Sequence, residues 1–170
     1  PASQLAFATF DSTMKGREQL YDYVVGFGET DLCCHRASSP VELAAKQAEF
    51  WDPIVRWAED ALGVKLPVVE GIIAARVDAE VLARLRAHAA DLDDFRLTAL
   101  SQATGLAGSV LIGFAFTRGA LTPQQAFEAA VLDNLWGLEK WGEDAEARTR
   151  LDRQRAEWGA IARYLEALQT

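Results

Sequence analysis

Nearly every periodic stretch of this chain repeats its apolar residues at helical spacing, and few alternate with period two, which confines the fold to the all-α class. Capping signals punctuate these stretches. In Ser39-Pro40-Val41-Glu42, Ser39 caps, Pro40 takes the first helical position and Glu42 reaches back, so a helix runs toward Trp51. Asp52-Pro53 repeats the signal and predicts a new or kinked helix from Pro53 to about Leu62, closed by Gly63. Ser3 to Phe27 reads as two helices meeting near Lys15-Gly16. Asp78 opens a helix to about Ala90, and Asp93 or Asp94 opens another through Thr104. The apolar run Gly105 to Phe116 reads as a buried core helix. Thr122-Pro123-Gln124-Gln125 starts a helix that stops at Gly142, and a densely charged helix fills Glu143 to Leu168. Only Val64 to Ile73 looks extended, offering Leu32 to Cys34 a partner in a minor ribbon. The expectation is one compact helical domain over residues 1–170, with about seven or eight helices and at most that one two-stranded ribbon.

Composition narrows the partners. A net charge of −8, spread along the chain, disfavours a phosphate backbone as ligand and favours a protein with a basic or mixed patch. The longest apolar run falls well short of the roughly 20 residues that cross a bilayer, so no membrane insertion is expected. Cys33 and Cys34 are adjacent and cannot staple distant segments, which points to a reducing compartment. The chain begins at Pro1 without an initiator Met, so upstream sequence is expected.

One carboxylate is out of place. Winding Thr122 to Glu143 at about 100° per residue gathers Phe127, Val131, Leu132, Leu135, Trp136 and Leu138 on one arc, with Glu128 and Glu139 inside it. A buried carboxylate without a partner is expensive. Glu139 must therefore meet a basic residue of the fold, water at the rim, or another protein.

Other chemistry has little to stand on. Cys33-Cys34-His35 contains standard zinc ligands, but no second ligand pair follows, since His88 is the only other histidine. Neither histidine follows a glutamate by three, which removes the di-iron bundle. No phosphate-cradling glycine loop, nucleophile elbow or H-E-x-x-H occurs. His88 is expected on a solvated face beside Arg84 and Asp91. A small thiol-dependent enzyme or redox sensor built on Cys33, Cys34 and His35 remains the alternative from another class, because His35 or Arg36 can favour a thiolate. A ligand-sensing regulator ranks last, for want of a basic face to read DNA.

Several blocks in order resemble a known family. Gly28 to Arg36 (G-E-T-D-L-C-C-H-R), Gln47 to Trp57 (Q-A-E-F-W-D-P-I-V-R-W), Leu66 to Gly71, Asp94 to Leu100 and Leu132 to Asp144 (L-D-N-L-W-G-L-E-K-W-G-E-D) are similar to the helical domain of the Atp-twelve family of ATP synthase assembly chaperones. The resemblance covers nearly the whole chain, with departures at His35, Asn134, Leu135 and Gly137. It implies a non-enzymatic, monomeric chaperone that binds the unassembled alpha subunit of the catalytic sector, with no cofactor and no metal. It also implies that the family's β-rich N-terminal domain is absent here. Asp133, Glu139, Trp141 and Gly142 match the family pattern, and with Trp51 and Asp52 of the W-D-P block they are the expected partner-binding residues. The implied location is a bacterial cytoplasm, or the mitochondrial matrix for a eukaryotic source.

Overall fold

The computed structural model describes residues 13–73 and 76–169. Among them lie eight α-helices: α1 (Met14–Gly26), α2 (Val41–Leu62), α3 (Ala79–Ala90), α4 (Asp94–Ala107), α5 (Val110–Thr117), α6 (Pro123–Ala130), α7 (Leu132–Trp141) and α8 (Ala145–Leu168). Two short strands, β1 (His35–Arg36) and β2 (Val69–Glu70), pair in parallel with His35 opposite Val69. The all-α expectation with one minor ribbon holds. The helix expected before Lys15-Gly16 falls outside the described residues.

The α4–α5 hairpin is the centre. Every residue of α5 from Val110 to Phe116 is buried, and α4 buries residues all round its circumference, as a helix enclosed by others must. Gly113 lets the two helices close, since a Cβ there would stand 2.3 Å from Thr104 Oγ1. The apolar run is therefore two elements rather than one helix, divided at Gly108, whose φ of 68° ends α4, and Ser109, whose hydroxyl caps α5. Helix α1 packs on α3 and α4, α2 on α5, and α8 on α4 and α6. Trp158 of α8 meets Phe116 edge to face with ring centres 5.0 Å apart.

Three local expectations give way. Pro53 does not begin a new helix but lies inside α2, because Trp51, Ile54, Ala58 and Leu62 share a face against the core and outweigh the one hydrogen bond that proline removes. Ser39 is not the cap of α2, which starts one residue later with Pro40 at the N-cap. Leu32 to Cys34 is a 3₁₀ turn, so the ribbon falls to the next two residues.

His88 is also more engaged than a solvated residue. Its Nε2 lies 2.8 Å from the Leu62 carbonyl oxygen and its ring edge faces Phe114, tying α3 to the end of α2.

Candidate partner-binding site

The helix expected from Thr122 to Gly142 is two helices. Thr122 and Gln125 form a full capping box at its start, as the sequence signals. At Val131 the backbone turns out of helical geometry (φ −111°, ψ 17°), ending α6 and beginning α7. Phe127 and Val131 both face the core, and only the break lets Leu132 be buried as well.

Within α7, Leu132, Leu135, Trp136 and Glu139 keep the spacing i, i+3, i+4, i+7 and share one face. Only Leu132 is fully buried; Leu135, Trp136 and Leu138 are half-buried and Glu139 is exposed. The helix overruns the body of the protein, so its last turn stands in solvent. Among the described residues Glu139 forms no ion pair. An ion pair with another described residue is thereby removed as the answer to its position, which leaves solvent or another protein to meet it. Glu128, by contrast, sits half-buried at the rim.

Trp141 follows two residues later, about 200° further round the axis, and is 83% exposed. Gly142 then takes φ 97° and ψ 163°, a conformation essentially reserved for glycine, and its N–H closes on the Leu138 carbonyl. Asp144 caps α8 by accepting from the backbone of Glu146 and Ala147. Glu139 and Trp141 thus flank the tip of α7 from opposite sides.

The root of α7 is held differently. Gln47 of α2, nearly fully buried, donates from Nε2 to Asp133 Oδ1 at 2.9 Å and accepts the Ala37 N–H at 2.8 Å. One carboxamide therefore joins the segment after β1, α2 and the first turn of α7. Further along α2, Asp52 accepts at Oδ1 from a terminal nitrogen of Arg36 in β1 (2.9 Å), whose Nε donates to the Cys33 carbonyl (2.7 Å). The Arg36 guanidinium lies over the Trp51 ring at 5.6 Å. Asp52 is half-exposed.

Trp51 does not lie on this surface. It is wholly buried, and its indole N–H donates to the Ala129 carbonyl at 2.8 Å, so it can reach no partner. The expected set is split accordingly: Asp52 and Asp133 gather near α2, Glu139, Trp141 and Gly142 form the tip of α7, and Trp51 supports from beneath. Sequence reasoning missed the contact of Gln47, although it lies inside a matching block, and a polar residue one turn before a core tryptophan was the available signal; Arg36 entered only as a neighbour of the thiols.

The thiol site has the wrong environment. Cys33 and Cys34 are buried, and burial, reinforced by the Asp31 carboxylate, pushes the Cys34 thiol up to about 12 and raises Cys33 well above its ordinary value. His35 turns Nδ1 toward the Asp31 carbonyl oxygen at 2.8 Å. Asp31 itself is buried and accepts from Ser109 Oγ (2.7 Å), Cys33 N–H (2.9 Å) and Leu111 N–H (3.0 Å), stapling this loop to the start of α5. Among the described residues no cluster of three or more His, Cys, Asp or Glu can hold a metal, and no helix is long and apolar enough to cross a membrane.

A family model described as ATP12 chaperone protein matches residues 1–59. The mitochondrial protein atp12 of Schizosaccharomyces pombe is 27% identical over 137 residues, which is 76% of this chain and 47% of that protein. The crystal structure of Atp12 from Paracoccus denitrificans superposes with a TM-score of 0.86 and 33% identity, over 90% of this chain and 66% of that one. A protein from Agrobacterium tumefaciens described as a candidate chaperone superposes at 0.85 with 33% identity, over 93% of this chain and 59% of its own. The chain spans about half the length of the curated relative and under two thirds of these solved ones.

Proposed function

We propose, from the premise that this chain belongs to the ATP12 chaperone family, that it holds the unassembled alpha subunit of the ATP synthase catalytic sector until the subunit's proper neighbour replaces it. An isolated subunit exposes an apolar interface meant for another subunit, and such patches aggregate unless covered. A cover of moderate affinity protects by mass action and yields to a better partner, so it needs no bound nucleotide, metal or catalysis of its own. A soluble compartment where the subunits are assembled, bacterial cytoplasm or mitochondrial matrix, suits that role.

The observation that carries the reading to particular residues is the tip of α7. The last turn of α7 leaves Trp141 83% exposed, and tryptophan is the residue type most enriched at binding hot spots. Glu139 beside it has no internal ion pair among the described residues and supplies charge for a complementary patch. Because the two side chains leave the helix on opposite sides, the client receives α7 end-on, in a recess rather than on a flat face. Asp133 and Asp52 contribute from the root, and Gly142 shapes the turn that leaves the tip free.

The test is co-expression of the full-length protein with individual ATP synthase subunits, followed by affinity capture under reducing conditions. Selective retention of alpha is expected. Retention of no subunit, or of all equally, would sink the proposal.

A further inference from the structure

We infer that Gln47 is a positioning residue whose hydrogen bond to Asp133 sets the pose of α7 and so aims its tip at the client; this rests on the client reading above. Helix α7 is otherwise held by Leu132 and by half-buried Leu135 and Leu138, which pack against the core. Leu132 is its one fully buried residue, its N-terminus carries no side-chain cap, and α2 is its principal packing neighbour. Beside that contact, the charge-assisted hydrogen bond from a carboxamide 2% exposed to the Asp133 carboxylate is, among the described residues, the side-chain hydrogen bond that joins α2 to α7.

The polarity of the contact is specific. Gln47 Oε1 is occupied by the Ala37 N–H, which orients the carboxamide so that its Nε2 faces Asp133. A carboxylate at position 47 would still accept from Ala37 and would then oppose the Asp133 carboxylate. With asparagine at 133, the same carboxylate would accept from the new amide, restoring the bond with donor and acceptor exchanged. The attachment can thus be broken and remade without changing the size of either side chain.

Three forms are compared: the protein as it is, Gln47→Glu, and Gln47→Glu with Asp133→Asn. Hydrogen exchange of the α7 amides reads the attachment without any client, and capture of the alpha subunit reads its use. Gln47→Glu is expected to speed exchange over residues 132–141 about tenfold while α4 and α5 stay protected, and to weaken capture. The double variant is expected to return α7 exchange to that of the unsubstituted protein. Unchanged α7 exchange in Gln47→Glu, unaffected capture despite a loosened α7, or no restoration of α7 protection by the second change would overturn the inference. General loss of protection that the second change does not reverse would make Gln47 merely structural, and overturn it equally. If the unsubstituted protein captures no alpha, the client reading fails, while the exchange arm still decides whether Gln47 holds α7.

Discussion

The indole N–H of Trp51 reaches the Ala129 carbonyl oxygen at 2.8 Å, across 78 positions of chain, and fastens α2 to the last turn of α6 just before the backbone breaks. Trp51→Ala is expected to cost about 3 to 5 kcal/mol of unfolding free energy, the usual range for emptying a buried aromatic site. Trp51→Phe keeps most of the ring and strands the carbonyl, for a loss nearer about 1 to 3 kcal/mol. Urea denaturation midpoints for the two variants check both; an unaffected midpoint in Trp51→Ala would return this residue to the surface.

Glu139→Lys should behave in the opposite way. An exposed side chain without an ion pair changes stability by no more than about 0.5 kcal/mol, so thermal unfolding should be nearly unchanged. Capture of the alpha subunit is expected to fall about tenfold. A melting temperature several degrees lower would show Glu139 serving the fold instead of the client.

Both thiols should be inert in the folded protein. With burial holding the Cys34 thiol near 12 and Cys33 above its ordinary value, thiolate is scarce at neutral pH. Iodoacetamide should modify neither cysteine in buffer and both in guanidinium, read by intact mass. Cys33→Ser with Cys34→Ser should leave client capture in place. Rapid native labelling, or loss of capture in a variant that remains folded, would revive the thiol reading.

Asp31 sets a pH dependence of a less familiar sign. Burial raises its carboxyl above the ordinary 3.8, outweighing the donors from Ser109, Leu111 and Cys33. The folded protein therefore binds this proton more tightly than the unfolded chain does. The stabilisation is complete below the unfolded value and is lost as pH rises through the folded one. Relative to Asp31→Asn, the unfolding free energy should decline with rising pH above 3.8 and then level off. A difference that grows with pH would mean that the donors outweigh burial.

The legible part of the fold was whatever local chemistry decides. Thr122 and Gln125, Asp93 and Gly63 mark ends that the structure places where their side chains or backbone freedom require. Pro53 and Val131 show the other case. Proline normally stops a helix, yet four core contacts carry α2 past it; valine normally continues one, yet the need to bury residues on both sides of it breaks α6 from α7. Both outcomes depend on what lies across the core, which no window of sequence contains. The candidate site divided for the same reason. Period alone put Glu139 among apolar neighbours, but how far α7 projects beyond the body fixed its exposure, and Trp51 looked as available as Trp141 until the core was assembled around it.

The protruding end of α7 would, on an uncharged protein, be a site for copies of the chain to stick to one another. Here the stretch from Asp133 to Arg148 carries five acids against two bases, on a chain whose net charge is already −8. Two such tips approaching would bring like charge together before either Trp141 found cover, within the roughly 8 Å over which charge is felt at physiological salt. Like-charge repulsion of this kind opposes contact between two tips, and it should weaken as salt is added.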